Sequence, residues 1–201
     1  MNRDGSRRIL PTILVIVIII VAVVAIVSLG RAIFGGGGDT ADSEASQAAR
    51  QALLDTTQGS AVSLTVRGKI VNNDEFRSYR ILVTPSTRTM TTYSGYLASP
   101  LKSKEYSNNV RAYEEFVYAL DKAGFTSTVA LTDDKNDTRG VCAAGNINEY
   151  DILKDDKSVK QIWTSTCSGT TGSMKANPVQ IRNLFKSQIP DYAALVQAIR
   201  D

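Results

Sequence analysis

From Ile13 to Leu29 the chain reads ILVIVIIIVAVVAIVSL, an uninterrupted run without charge. With Ile9 to Thr12 it reaches roughly 20 residues, the length that crosses ~30 Å of hydrocarbon as a helix. Ile and Val are poor helix formers in water. In lipid, however, a helix is the one single segment that satisfies its own backbone polar groups. A water-soluble helix would carry a polar face, and this run has none. Arg3, Arg7 and Arg8 precede it. By the positive-inside rule they predict a cytoplasmic N-terminus at 1–8, a transmembrane helix at 9–33 and an exported remainder. A cleavable signal peptide competes with this anchor, because Ser28 and Gly30 are small and spaced like a cleavage site, so cleavage after Gly30 stays open. The apolar core is longer than the roughly 7–15 residues such peptides use. No cysteine follows the run to take a bacterial lipid, and it contains no Glu where a type IV prepilin needs one.

Beyond the run the periodicity changes. Gly35 to Gly38 reads as a flexible tether. Ala48, Ala49, Ala52 and Leu53 form a weak stripe in a polar stretch. Residues 34–58 are therefore expected to be a tether and a polar helix, either a stalk or the first helix of a domain at 59–201. Val62, Leu64, Val66, Gly68 and Ile70 alternate with polar neighbours, as do Tyr79, Ile81 and Val83, which predicts a half-buried hairpin. A four-residue loop at Asn72–Glu75 would pair Leu64 with Val83, Val66 with Ile81 and Gly68 with Tyr79, laying an aromatic ring over a bare glycine. Thr84 to Thr87 reads as a turn, and the Thr-rich stretch from Arg88 to Tyr93 as a third strand.

Ser107 to Ala123 carries Val110, Tyr113, Phe116, Val117 and Leu120 at helical spacing. Gly124 is placed for a left-handed cap, with Phe125 as its apolar contact. Phe125 to Leu131 is expected as a strand and 132–140 as a polar loop. Ile147 to Leu153 and Val159 to Thr166 read as strands around the turn Lys154–Lys157. Two short helices finish the chain. One starts at Asn177-Pro178, a cap and first-turn pair, and the other near Pro190-Asp191. This order predicts an α+β domain, an antiparallel sheet with helices packed on one face.

The charge balance adds an exclusion. From Arg31 onward 20 Lys and Arg face 19 Asp and Glu. Such an interspersed balance argues against nucleic acid as a partner, which needs a basic excess. Both cysteines, Cys142 and Cys167, lie in the part expected to be exported, where an even number suggests a disulfide. A hairpin centred near Lys154-Asp155 would set them opposite each other on adjacent strands, ~4.5–5.5 Å apart at Cα, within disulfide range. Spacing this wide is no redox C-x-x-C motif. Two cysteines without histidine make no ordinary zinc site.

The chain contains no histidine, so Ser-His-Asp and Cys-His triads are excluded, as are His-based metalloprotease motifs. Ser99 to Lys102 matches S-x-x-K and Ser107 to Asn109 a loose S-x-N. The K-T-G element of penicillin-binding enzymes is missing, and Pro100 disfavours the helix such a serine sits on. Asp134, Asn136 and Thr138 fall at calcium-loop positions, but the expected Glu is Gly145, which leaves a solvated turn. Asn136-Asp137-Thr138 is a glycosylation sequon only in a eukaryotic host. Glu114, Glu115, Glu149 and Asp151 are available as paired acids for glycoside hydrolysis. Neither a cofactor nor a metal site is expected. Trp163 reads as a core residue. Tyr93, Tyr96 and Tyr106, with Asn108 and Asn109, are the expected binding surface, since aromatics with a polar tip are common at interfaces. The segment Tyr93–Tyr96 and the loop up to Asn109 would carry it.

Several patches carry a resemblance: Arg67-Gly68, Gly95-Tyr96, Asn108-Asn109 with Ala112-Tyr113 and Phe116, Ala123-Gly124-Phe125, Arg139 to Cys142, and Ile162 to Cys167. Over 60–190 the chain resembles small single-pass exported proteins of unknown function from reduced-genome bacteria. The resemblance implies a bacterial envelope setting and transfers no functional residue. The expected function is a membrane-anchored, extracytoplasmic, non-enzymatic binding or assembly role. Its partners would be the bilayer, through 9–33, and another envelope protein or wall polymer. A carboxylate-dependent wall-polymer hydrolase and a pilin-like filament subunit are the alternatives. The second needs a helix continuous through Gly35–Gly38.

Overall fold

The computed structural model describes residues 39–170 and 172–199. The expected cytoplasmic segment, transmembrane helix and glycine tether lie outside them. Among the described residues no helix is long and apolar enough to cross a membrane. Contacts group residues 45–201 into one compact unit.

Six strands form one antiparallel sheet: β1 (Ser60–Arg67), β2 (Arg77–Val83), β3 (Thr87–Ser94), β4 (Ser99–Ser107), β5 (Ile147–Lys154) and β6 (Lys157–Ser165). Their spatial order is β4-β3-β2-β1-β5-β6. Helix α1 spans Asp39–Leu54, α2 Val110–Lys122, α3 Asp133–Asn136, α4 Pro178–Lys186 and α5 Tyr192–Gln197. The domain is α+β, as the element order implies.

The alternating residues define the core. Val62 faces Val83 and Ile152, and Leu64 faces Ile81 and Tyr150. Met90 extends this face opposite Ile81. These side chains are fully buried in one cluster with Leu53 of α1, Phe116 and Leu120 of α2, Phe185 of α4 and Leu195 of α5. Four rings mesh at its centre. Phe125 and Tyr150 lie 5.7 Å apart edge to face, Phe116 and Phe185 5.3 Å, and Tyr150 and Phe185 5.5 Å. From Ala45 onward α1 belongs to this unit. Ala49 and Leu53 are buried, and Arg50 grips Asp121 of α2 through two bonds of 2.6 and 2.8 Å. The four-residue α3 is the exception to one-sided packing. Its Asn136 accepts a hydrogen bond from the indole of Trp163, which belongs to a second cluster with Cys142 and Ile147.

Helix α2 matches its sequence signals. The Asn109 side chain accepts from the Ala112 N–H at its start. At its end Gly124 takes φ +75°. The Phe125 N–H then bonds the Leu120 carbonyl and the Gly124 N–H that of Asp121, a Schellman cap. Val110, expected on the buried face, is instead exposed, because it sits in the first turn, before the helix meets the sheet.

Several local expectations are corrected. The first hairpin pairs Val62 with Val83, Leu64 with Ile81 and Val66 with Tyr79, two residues from the expected register. The strand leaves the ladder early: the last bond runs from Gly68 N–H to Arg77 O, and Ile70 N–H turns away to Ala143 O. A shift of two keeps each side chain on its face, so the core is unaffected. Tyr79 therefore lies opposite Val66 and not Gly68. The glycine serves another end: a Cβ there would come within 2.8 Å of Arg77 O. Phe125–Leu131 is not a strand; it makes one bridge, Thr128 with Met174. Strand β4 was unforeseen, since most of its side chains face solvent and no apolar alternation marks it.

Cys142 and Cys167 form the expected disulfide, with Cα atoms 5.6 Å apart. Its geometry differs from the expected one. The β5–β6 hairpin closes at Asp155 and Asp156, both with positive φ, as a two-residue type I′ loop requires. Cys142 precedes β5 and reaches Cys167 through a turn.

Candidate functional site

The β1–β2 loop and the β3–β4 loop emerge at the same end of the sheet, since Arg77 faces Ser94 across β2 and β3. The two loops are locked together. The Phe76 and Tyr96 rings stack at 4.1 Å, 19° apart. Tyr96 Oη donates to Val71 O at 2.8 Å and accepts from Val71 N–H at 3.2 Å. The Tyr96 N–H donates to Asn73 Oδ1 at 3.0 Å, and the Gly95 N–H to Phe76 O at 3.0 Å.

This clamp holds an apolar tip in water. Leu97 is 93% exposed; Leu101, which lines a groove with it, and Ile70, which lines one with Tyr96, are half exposed. Ala98, the next residue, has φ +52°. A left-handed alanine costs ~1–2 kcal/mol, a strain that surrounding contacts must enforce.

Clefts lie on either side of Gly68. One, of about 580 Å³, is lined by Val66, Val71, Tyr79, Val196 and Ile199, with Lys69, Arg77 and Glu75 among its charged groups. The other, of about 280 Å³, is lined by Ile70, Phe76, Tyr96, Val141 and Ile147, with Arg67 and Arg139. Arg139 is bound to Asp137, and that hydrogen-bonded pairing holds the Asp137 carboxyl down at about 2. Thr138 and Arg67 both bond Glu149, at 2.6 and 3.3 Å. The end therefore combines apolar floors, charged rims and a rigid apolar projection, the composition of a recognition surface.

The five residues expected to form one binding surface are divided. Tyr96 belongs to the clamped end, and Tyr93 lies near it on β3. Tyr106, Asn108 and Asn109 lie toward the other end of β3, which is ~23 Å long at ~3.3 Å per residue. By strand alternation Tyr93 and Tyr106 also point to opposite faces, because Tyr106 pairs with Arg88 and Tyr93 with Pro100. Asn108 closes the turn at 84–87, its amide donating to Thr84 O at 2.7 Å. Asn109 caps α2. Leu97 and Ile70 were missed; Ile70, read as a strand residue, is half exposed in the loop. The available signal was an apolar residue inside a polar, glycine-flanked turn.

Of the four acids considered for hydrolysis, Glu149 is bonded to Thr138 and Arg67 in the wall of the smaller cleft, and the other three line neither cleft. Glu114 and Glu115 pair with Arg111 on α2, and Asp151 accepts from Ser158 at 2.9 Å. Among the described residues Glu75 is the one acid lining the larger cleft. Among the described residues no group of three or more Cys, Asp or Glu side chains is placed to hold a metal. Comparison with protein-family models, curated proteins and solved structures returns no match.

Proposed function

We propose that the chain is a membrane-tethered extracytoplasmic domain that binds another protein of a bacterial cell envelope and performs no catalysis on it. The apolar run with its preceding arginines supports the anchor, and the disulfide is consistent with an oxidising compartment. The observation that carries the binding role is Leu97. An almost fully exposed leucine is entropically cheap to dock when its loop is already rigid, and the Tyr96 clamp supplies that rigidity. The flanking clefts would receive side chains of the partner.

A photo-crosslinking residue at position 97 of the full chain, in the native envelope, tests this. The expected result is one discrete protein adduct, absent when the same probe replaces Val159, an apolar residue half exposed on β6. Tyr96→Ala, which frees the tip, should weaken the adduct at 97. Equal or absent adducts at both positions, or turnover of wall polymer by the purified chain, would refute the proposal.

A further inference from the structure

The turn from Cys142 to Asn146 is seated on the disulfide. A Cβ on Gly145 would fall 2.8 Å from Cys142 Sγ and 3.1 Å from Cys167 Sγ. At its far end Asn146 is tied to the residue after β6. Its N–H donates to Thr166 Oγ1 at 2.9 Å, and its carbonyl accepts from Thr166 N–H at 3.0 Å. Ala143 and Ala144, between these anchors, are exposed. The Ala143 carbonyl nevertheless reaches away from the turn and accepts the Ile70 N–H at 2.8 Å. Among the described residues Ala143 makes no other backbone hydrogen bond. The anchors on either side of it therefore set its position.

That one contact leads to the recognition end. Ile70 is followed by Val71, whose N–H and carbonyl both bond the Tyr96 hydroxyl, and Tyr96 is followed by Leu97. Ile70 and Val71 lie beyond the end of β1, where the ladder no longer fixes the backbone. The smaller cleft shows the same dependence, since Val141 and Cys142 line it together with Ile70 and Tyr96. The bond itself is asymmetric. Cys142 is buried and Cys167 is partly exposed, which leaves it open to attack by a thiol from the Cys167 side.

We propose that the Cys142–Cys167 bond sets the rigidity of the Leu97 tip, so that docking there depends on redox state. When a dithiol reduces it, the S–S bond breaks, both sulfurs end as thiols, and the two thiols of the reductant end as a disulfide. The turn loses its covalent seat, the Ala143–Ile70 bond loosens, and Val71 no longer holds the Tyr96 hydroxyl in place. The bond from Tyr96 N–H to Asn73 and the stack on Phe76 remain, so the tip is loosened and not unfolded. A tip that must be ordered during docking binds more weakly. The consequence for docking rests on the function proposed above; the link from the disulfide to the tip does not. A competing force acts in the same place. Cys142 also packs with Ile147 and Trp163, and if that packing alone held the turn, opening the bond would leave the tip unchanged.

The test compares the full chain in maltoside micelles before and after reduction with dithiothreitol, with amide hydrogen exchange read by mass spectrometry. Exchange over 69–72 and 95–98 should rise about tenfold on reduction, the effect of losing roughly one hydrogen bond. Tyr96→Phe keeps the ring and removes only the hydroxyl. In this variant exchange over 95–98 should already be raised before reduction and should rise no further, while 69–72 still responds. A general loosening of the domain would instead raise 95–98 in both proteins. The crosslinking probe at position 97 in the native envelope then reads the consequence, and its adduct should fall several-fold on reduction and return on reoxidation. Unchanged exchange over 95–98, an equal rise in Tyr96→Phe, or a strong adduct indifferent to reduction overturns the proposal. No adduct in either state refutes docking at the tip, and exchange alone then decides the link.

Discussion

The two edges of the sheet are protected by different means. At the β6 edge the chain covers itself. The Trp163 N–H donates to Ser173 Oγ at 3.1 Å, and its carbonyl accepts from Met174 N–H at 3.2 Å. The returning segment passes so close that a Cβ on Gly172 would fall 2.3 Å from Trp163 O. The Cys142–Cys167 bond then closes the end of the hairpin. Among the described residues the β4 edge has no such cover. Its strand is almost wholly exposed and carries Pro100, Lys102 and Lys104, residues that discourage pairing with another chain. One edge therefore depends on packing and a covalent bond, and the other on charge and a missing donor. Packed residues should be costly to change and exposed charges nearly free, and three measurements can break or sharpen that contrast.

The largest effect is expected at Trp163. Trp163→Ala empties a buried site and leaves Asn136 Oδ1 without its indole donor. The expected loss is about 3–5 kcal/mol, read from the urea midpoint, with hydrogen exchange rising first along β6 and 172–175. A loss below ~1 kcal/mol would show that this edge is not held by packing. Next comes the disulfide. Replacing both cysteines with serine opens a loop spanning a sequence separation of 25, worth about 3 kcal/mol on the chain-entropy account. The exchange rates of β3 and β4 should stay as they were; equal loosening of both edges would erase the distinction.

The smallest effect is expected in acid. The Asp55 carboxyl is held well below its usual range by Lys154 and Thr57, and Asp191 is lowered by Lys104. A carboxylate whose folded pKa is depressed contributes stability above its unfolded value of ~3.9, and loses it as pH falls through the folded value. Stability should therefore decline below about pH 4. Asp55→Asn should flatten that decline more than Asp191→Asn, because the Asp191 pair is exposed and screened. The reverse order would make the charged β4 edge more than a deterrent.

The same contrast explains what could be read along the chain. Strands β1 and β2 were legible because Val62, Leu64, Val66, Ile81 and Val83 alternate, and alternation is the imprint of a sheet with one buried face. Helix α2 was legible because its core face, Asn109 and Gly124 act within a few residues of one another. Strand β4 was not, because an edge exposed on nearly all its side chains leaves no period to detect. The register of the first hairpin was missed for a related reason. A slip of two residues preserves the pattern, and the bond that decided it joins Ile70 to Ala143, far away in sequence. The candidate site was half legible. Tyr96 was singled out, but its clamp needs Phe76, Val71 and Asn73 from another loop.

By itself the sequence determined the elements with a buried face at regular spacing, the faces they bury, the pairing of Cys142 with Cys167, and the uncharged run from Ile13 to Leu29. Each of these depends on local periodicity, local capping or residue type. Only the tertiary structure decided which loops meet, where the strands stop, and that Leu97 projects from a rigid tip. Those outcomes depend on contacts between residues remote in sequence, and hydrophobic periodicity carries no information about them.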